Sequence, residues 1–219
     1  NGFVNLDKTA ESYDDINNSK TILIIGDLYD ENPLVARRVI MAKENGAKVI
    51  CADNENKNTT SINSDKYIQF DSVSEFLDSL DEEILDELNE DAIIIFNKVD
   101  NEENCQKISE IGLKTNAKIL PIYKKCNSKG ALNKIDSINL NELKEELKNI
   151  EVLLIVNENP LDYITEDDLN SIKQIVTISY FKNDIVNKSD YVIPGKPWAF
   201  KEGSYTNSVN TNQNFKIAV

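Results

Sequence analysis

The segment Asn127-Ser128-Lys129-Gly130-Ala131 has the residue types that point most directly to chemistry. Successive backbone N–H groups around a glycine, with a hydroxyl and an ammonium group beside them, can form a nest that binds phosphate. The same five residues also suit an ordinary turn. The motif alone does not decide between an anion site and a turn.

Two further candidates follow apolar runs that have the length of strands. Gly26 either admits a nucleotide phosphate or relieves crowding at a strand end, and neither GxGxxG nor a Walker lysine is present. Asp53 either accepts a hydrogen bond from a ribose or base, or caps a turn in the polar segment 53–60. The acid-rich segment 78–91 is typical of a solvated helix face rather than of paired catalytic carboxylates.

Several residue types that support catalysis or metal binding are missing. The sequence has no histidine, which excludes Ser-His-Asp triads, Cys-His pairs and histidine metal sites. Cys51, Cys105 and Cys126 are far apart, form no CxxC motif and are fewer than the four thiolates that an iron–sulfur cluster usually needs. Such sparse, odd cysteine usage is typical of a reducing compartment, so we expect a cytoplasmic protein.

The charge balance restricts the partners. The formal net charge is −14, from 38 acidic and 24 basic residues, and a surface this acidic repels nucleic acid. No apolar run reaches the roughly 18 residues that span a bilayer, and the amino end does not resemble a signal peptide. The chain opens on Asn1 rather than methionine, so we expect it to be part of a longer protein.

The elements that must position these candidates alternate between strand and helix. Thr21–Gly26 predicts a strand buried on both faces, and Asn32-Pro33 predicts the start of a helix that ends at Gly46. The side chains of that helix expected to face inward are Leu34, Val35, Val39 and Ile40.

The alternation continues to residue 193 and predicts a three-layer α/β/α fold with mostly parallel, Rossmann-like sheets. We expect a lead-in over 1–20, a first α/β unit over 21–135, and a second unit over 136–219 that ends in a loop-rich segment. Further predicted strands are Lys48–Ala52, Tyr67–Phe70, Ala92–Phe96, Lys118–Tyr123, Val152–Val156 (buried), Ile175–Tyr180 and Tyr191–Ile193, and further predicted helices are 73–88 (one or two), Glu103–Asn116, Leu140–Lys148 and Thr165–Gln174.

Ligands of such sheets lie beyond the carboxyl ends of the strands. The loops predicted to face a ligand are therefore Gly26–Asn32, Asp53–Thr59, Tyr123–Ala131 and Asn157–Asp162.

Four segments, in the same order, resemble motifs of the molybdopterin oxidoreductases. Residues 189–207, which contain VIPGKPWAFKEGSYTN, are similar to the stretch in which "DVVLP" leads into "EKDGTFTN". Residues 12–53 are similar to the stretch from "ADVILVIGSNP" to "GAKLIVID". Residues 127–132 resemble "NSRGAL", and residues 155–160 resemble "LGENP".

The resemblance implies the central α/β region of formate dehydrogenase or DMSO reductase. That region holds the guanine dinucleotide ends of a bis-molybdopterin cofactor carrying molybdenum or tungsten. Backbone amides would hold the phosphates, and Asp53 would face a guanine or ribose edge. The positions that match cofactor contacts of the family are Gly26, Asp27, Asp53, Asn127, Ser128, Gly130, Asn157, Glu158, Asn159 and Asn207.

Some positions depart from the family pattern. Leu28 replaces the asparagine of "GSN", Asn54-Glu55 replaces "PR", and Asn157 replaces a glycine. Phe200 stands where "EKDG" begins with an acid, and residues 209–211 replace "EGR". The family's amino-terminal iron–sulfur module, its cysteine or selenocysteine metal ligand and its carboxyl-terminal cap domain are not within these 219 residues.

Three functions fit these observations. The first is the molybdopterin guanine dinucleotide-binding region of a formate dehydrogenase-like oxidoreductase, with an iron–sulfur module and electron-transfer subunits as partners and no catalytic residue in this chain. The second is a cofactor-free structural relative that serves as a scaffold, as in the large iron–sulfur subunit of respiratory complex I. The third is an unrelated nucleotide-binding α/β domain.

Overall fold

The computed structural model describes residues 6–55, 57–99 and 101–219 of the chain. The chain divides into two compact units. The first unit is the chain up to Ile135 together with Tyr205–Gln213, and the second is Asp136–Ser204 together with Asn214–Val219.

The first unit is built on a sheet of five parallel strands in the order β3-β2-β1-β4-β5. Every residue of the first and fourth strands is buried, as expected for parallel strands that are covered on both faces. The strand order reverses between β1 and β4, which is where ligands bind in open α/β sheets. The strands are β1 (Thr21–Ile25), β2 (Lys48–Asp53), β3 (Lys66–Gln69), β4 (Ala92–Phe96) and β5 (Lys118–Pro121).

Two separate cores cover this sheet, one on each face. Phe76, Ile84 and Ile108 pack helices α5, α6 and α7 onto one face, and Ile16 and Val39 pack α1 and α3 onto the other. The predicted three-layer, Rossmann-like α/β/α class is thereby confirmed. The helices of the unit are α1 (Asp14–Asn17), α2 (Leu28–Glu31), α3 (Pro33–Glu44), α4 (Thr59–Ile62), α5 (Val73–Asp78), α6 (Glu82–Glu87), α7 (Glu102–Thr115) and α8 (Ser128–Leu132).

Helix α3 begins at Pro33 as predicted, but two of its side chains do not face inward. Leu34 is 83% exposed, and Ile40 is also exposed. Val39 is buried as predicted and Val35 packs against the same core. Ala36 and Ala42, each three residues from Val39 and on the same face of the helix, are buried in place of Leu34 and Ile40. The prediction was therefore wrong for Leu34 and Ile40, because these larger apolar residues were assigned to the core in place of the two alanines.

The second unit has three parallel strands in the order β6-β7-β8 and a small core of its own. The prediction that the first of these strands is buried was wrong, since Val152, Leu154 and Val156 are 54–57% exposed and only Ile155 is buried. Strands in sequential order take right-handed crossovers on the same face, which leaves alternate side chains of the other face without a covering helix. The elements are α9 (Leu140–Leu147), β6 (Val152–Val156), β7 (Gln174–Ser179), α10 (Asp184–Lys188) and β8 (Tyr191–Pro194).

Two other segments differ from prediction. The helix predicted over Thr165–Gln174 is only a 3₁₀ turn at Glu166–Leu169, although the Thr165 amide and hydroxyl both donate to Asp168 Oδ2, at 2.8 Å and 2.9 Å. The polar loop near the carboxyl end contains a two-stranded sheet, β9 (Gly203–Thr206) with β10 (Asn212–Phe215). Over the three described ranges, no helix is both long and apolar enough to cross a membrane.

Candidate functional site

Seven of the ten predicted cofactor residues lie in the first unit, and they fall into two groups. Gly26, Asp27 and Asp53 lie at the ends of β1 and β2, whereas the others lie in or near the loop after β5. We call the polar residues around the first group, Asp27, Asp53, Asn58, Thr60 and Lys98, the first-edge cluster. We call residues 122–132, which follow β5 and include α8, the central loop, and the space beside them the central-loop cavity.

Gly26 is required by a close approach of Asn97, which follows β4. Its φ is +119°, and a Cβ atom at this position would lie 2.0 Å from Asn97 Oδ1. The buried Asn97 amide donates to the backbone oxygen of Asp27 at 2.7 Å and to Glu31 Oε2 at 3.0 Å. This packing supports the interpretation that the glycine relieves crowding at the strand end.

Asp27 and Thr60 accept hydrogen bonds from the backbone amides at the amino terminus of α2. The Thr60 hydroxyl donates to Asp27 Oδ1 at 2.6 Å and accepts from the amides of Leu28 and Tyr29, both at 2.9 Å. Asp27 Oδ1 also accepts from the Asp30 amide at 3.5 Å. The three amides that could hold a phosphate after β1 are therefore already hydrogen-bonded.

Asp53 is fully buried, and its carboxylate is bonded from several sides. It accepts from Asn58 Nδ2 at 2.6 Å, from the Asn54 amide at 2.7 Å and from Lys98 Nζ at 3.3 Å. Lys98 also reaches Glu55 Oε1 at 2.8 Å. Burial lowers the pKa of Lys98, but the hydrogen bond to Glu55 and the charge of Asp53 outweigh burial and raise its pKa above the ordinary value.

The cysteine beside this cluster does not offer a thiolate. Burial, and then the charges of Asp53 and Asp27, raise the pKa of Cys51 to about 12. A thiol with this pKa remains protonated at neutral pH and is neither a nucleophile nor a ready metal ligand. Among the described residues there is no group of three or more cysteine, aspartate or glutamate side chains able to hold a metal ion.

A cavity of about 450 Å³ adjoins the first-edge cluster. Its lining is rich in hydrogen-bond acceptors, including Glu31, Glu55 and Asp71, although Lys98 and Lys124 also reach it. Asn104 is buried in the first turn of α7, and its Oδ1 has no hydrogen-bond partner within the described residues. The cavity therefore favours a ligand group that donates hydrogen bonds over an anion.

The central-loop cavity has a volume of about 470 Å³ and a different lining. Three of the predicted cofactor residues, Asn127, Ser128 and Asn207, line it directly. Its other walls are the start of α3, the end of β5 and the segment around β9. The residues that complete the lining are Tyr13, Asn32, Pro33, Leu34, Val35, Ile122, Tyr123, Lys125, Cys126, Lys129, Tyr205, Thr206, Ser208 and Gln213.

Asn127 and Gly130 act together to shape this cavity. Asn127 adopts the left-handed conformation, with φ of +62°, and its Oδ1 accepts from the Thr206 amide at 2.9 Å. A Cβ atom at Gly130 would lie 2.2 Å from that same oxygen. The glycine therefore leaves room for the asparagine to hold Thr206 against the loop. The loop ends in the short helix α8, which the sequence did not predict.

The charges around the central-loop cavity favour an anionic ligand. Lys129 lines it and forms no ion pair within the described part of the chain, and Lys125 adds a second cation. The positive end of the 12-residue helix α3 also faces it. Burial, and then the neighbouring Cys105, raise the pKa of Tyr123 to about 12, so its phenol remains neutral.

The three remaining predicted residues lie together after β6 in the second unit. Asn157 is left-handed, with φ of +52°, and Asn159 Nδ2 donates to Asp162 Oδ1 at 2.7 Å. The side-chain oxygens of both asparagines are buried and lack partners within the described residues. Glu158 between them is exposed. Two unpartnered acceptors at a strand end suit a ligand that carries N–H or O–H donors.

Sequence reasoning missed three residues that determine the first-edge cluster: Thr60, Asn97 and Lys98. Asn97 and Lys98 directly follow the predicted strand Ala92–Phe96, so their position at a strand end was a usable signal. Thr60 lies 33 residues after Asp27 in a polar segment, and no spacing rule connects the two.

Comparison with known proteins agrees with the resemblance seen in the sequence. A family model described as molybdopterin oxidoreductase matches residues 3–219. The chain is similar to the F420-dependent formate dehydrogenase subunit alpha of Methanocaldococcus jannaschii, with 24% identity over 313 aligned positions that cover 96% of this chain and 46% of the relative. The chain thus spans less than half the length of that relative. The match over nearly all of its residues shows that the chain belongs to the molybdopterin oxidoreductase family.

Proposed function

We propose that this chain is the molybdopterin guanine dinucleotide-binding region of a formate dehydrogenase-like molybdenum or tungsten oxidoreductase. The observation that carries the proposal is the central-loop cavity. There, three residues that match cofactor positions of the family, Asn127, Ser128 and Asn207, line one space with two lysines. Gly130, which has no side chain, leaves the space that the Asn127 side chain occupies.

The central-loop cavity fits the anionic and planar parts of such a cofactor. Lys125 and Lys129 would neutralise phosphate charge, and the amino terminus of α3 favours an anion in the same space. Tyr123 and Tyr205 also line the cavity, and a planar ring would stack on an aromatic side chain there. The ring of Tyr13 already carries the Arg38 guanidinium, 5.5 Å from its centre.

The loop after β6 fits the polar edge of a ring. Guanine and pterin share an edge that carries several N–H donors, and such an edge would satisfy the buried oxygens of Asn157 and Asn159. Glu158, exposed beside them, would accept from the same kind of donor. The fit of this loop is separate from the fit of the central-loop cavity, since each rests on its own unit.

The first-edge cluster does not fit the role that the resemblance implies. Asn97 occupies the space beside Gly26, and Asp27 accepts a hydrogen bond from Thr60. The buried carboxylate of Asp53 is bonded to Lys98 and Asn58. A ribose or phosphate there would have to displace these partners. The proposal therefore gives the binding role to the central loop and to the loop after β6.

When bound, a molybdopterin cofactor supplies two-electron chemistry at its metal, and we propose a one-carbon substrate for the whole protein. The residues of this chain would bind and orient the cofactor, and none is assigned a catalytic role. An iron–sulfur module, electron-transfer subunits and a cytoplasmic location complete the proposal.

The test is the metal and pterin content of the native polypeptide that contains this chain. Elemental analysis for molybdenum, tungsten and iron would be combined with the fluorescence of oxidised pterin and with the GMP released by acid hydrolysis. Molybdenum or tungsten together with pterin and GMP is the expected result. Iron without pterin would overturn the proposal.

A second candidate function is a cofactor-free scaffold in an electron-transfer assembly. The closed first-edge cluster favours it, because hydrogen bonds and ion pairs within the protein replace ligand contacts there. The same content measurement separates the two functions, since a scaffold would contain no pterin and no GMP.

A further inference from the structure

Three carboxylates lie within five residues of one another in the segment after β1, and each accepts a hydrogen bond from a side chain of another segment. None of the three forms an ion pair within the described residues. Their negative charge is therefore concentrated at the loop. The pairs are Asp27 with Thr60 (2.6 Å), Asp30 with Thr59 (3.0 Å) and Glu31 with Asn97 (3.0 Å).

Three successive backbone amides after β1, those of Leu28, Tyr29 and Asp30, are already bonded to side-chain oxygens. Thr60 Oγ1 accepts from the amides of both Leu28 and Tyr29, and the next amide is bonded to Asp27. In sheets that bind nucleotides, phosphate oxygens occupy this position at the amino terminus of the helix. Here a hydroxyl oxygen from another part of the chain occupies it.

We infer that the loop after β1 is closed to phosphate, and that Thr60 and Asp27 take the place of a bound phosphate group. A phosphate that entered would have to displace the buried Thr60 hydroxyl. It would also be repelled by Asp27, Asp30 and Glu31. This inference does not depend on the proposed function, because it concerns a site that the proposal does not use.

The first test is a titration of the ¹⁵N-labelled 219-residue chain with inorganic pyrophosphate, followed by NMR. The amide signals of Leu28 and Tyr29 should not move at millimolar pyrophosphate. Saturable shifts at these two amides would overturn the inference. The signals of Ser128 and Gly130 report on the central loop in the same experiment. If they also stay unmoved, the phosphate-binding part of the proposed function fails while the closed loop stands.

A pair of variants tests the role of the hydroxyl directly. Thr60→Ser retains the hydroxyl and should keep the Leu28 and Tyr29 amides protected from hydrogen exchange. Thr60→Val has nearly the same shape but no hydroxyl, and these amides should exchange about tenfold faster or more. Thr59→Val is the matched control, since the Thr59 hydroxyl donates to the Asp30 side chain rather than accepting from the two amides, and its loss should leave both amides unchanged.

Equal exchange rates in the wild type and in Thr60→Val would show that the hydroxyl does not close the loop and would overturn the inference. If Thr60→Val does not fold, Thr60→Ser and the wild-type titration still decide. In that case, loss of protection in Thr60→Ser, or pyrophosphate shifts at Leu28 in the wild type, would contradict the closed loop.

Discussion

The first-edge cluster and the central-loop cavity lie at the carboxyl end of the same parallel sheet, yet they differ in how their polar groups are used. In the first-edge cluster, Asp27 and Asp53 are buried and bonded to Thr60 and Lys98. In the central-loop cavity, Lys129 has no ion-pair partner among the described residues. We therefore expect a strand end to bind a charged ligand where its charged side chains are not already paired within the protein.

The lysines show the difference most clearly. Lys98 is partly buried and divides its charge between Asp53 and Glu55. Lys129 follows a strand in the same sheet but has no acid within ion-pair distance in the described structure, and it lines an open space. The acid-rich composition of the chain therefore does not exclude an anionic ligand, because no acidic residue is among the described residues that line the central-loop cavity.

Replacing Lys98 should give the largest effect. In Lys98→Met, the buried carboxylate of Asp53 loses its cation, and the free energy of unfolding should fall by about 3 kcal/mol. Urea unfolding of the variant and of the wild type measures the difference. The control is Lys173→Met, which breaks an exposed ion pair with Glu151 and should leave the urea midpoint unchanged. Equal losses in the two variants would show that the first-edge cluster is not held together by Lys98.

Gly130→Ala should damage the central loop by a different mechanism. The added Cβ atom would overlap Asn127 Oδ1 and break its bond to Thr206, with a loss of stability of about 2 kcal/mol. Gly46→Ala is the control, because apart from the adjoining backbone no atom of the described residues lies within 4 Å of its Cβ position, and the expected cost is backbone strain of about 1 kcal/mol. A smaller loss at Gly130 than at Gly46 would mean that Asn127 does not hold the loop.

Tyr123, which lines the central-loop cavity, should make the stability of the folded chain depend on pH above about pH 10. Burial raises the pKa of Tyr123 to about 12, whereas a tyrosine in the unfolded chain titrates near 10. The contribution of this group is fully present below about pH 10 and is lost as the pH rises to about 12. Unfolding midpoints measured between pH 9 and 12 should therefore fall less in Tyr123→Phe than in the wild type. The pKa of Cys51 is also raised to about 12, so its ionisation should lower the unfolding midpoint at high pH in both the wild type and the variant. Parallel declines would contradict a buried, neutral phenol.

Cysteine labelling gives the smallest but simplest contrast between the two regions. Cys126 is exposed in the central loop, whereas Cys51 beside the first-edge cluster is fully buried, as is Cys105. A thiol-reactive dye should label one cysteine in the folded chain and all three after unfolding. Rapid labelling of Cys51 in the folded chain would show that the region of the first-edge cluster opens to solvent.

The fold was predictable because it depends on local patterns. Short apolar runs such as Ala92–Phe96 and helix starts such as Asn32-Pro33 carry their signals within a few residues. Burial on a given face was less predictable. Leu34 and Leu154 are apolar but exposed, because the order of strands and the position of neighbouring helices decide which face is covered.

The site was predictable only in part, for a related reason. The resemblance pointed to Asn127, Ser128 and Asn207, which line one cavity. It also pointed to Gly26 and Asp53, but their partners come from distant segments, such as Lys98 for Asp53. A pairing between segments more than 40 residues apart leaves no trace in local spacing.

We propose that any bound molybdopterin dinucleotide depends on the central loop and not on the first-edge cluster. Pterin content of the native polypeptide that contains this chain, compared between Lys129→Ala and Asp30→Asn, tests it most directly. Lys129 and Asp30 each lie in a short helix that follows a strand of the same sheet, and each variant removes a single charge. We predict that pterin content falls in Lys129→Ala and is unchanged in Asp30→Asn. Unchanged content in Lys129→Ala together with a loss in Asp30→Asn would contradict the account.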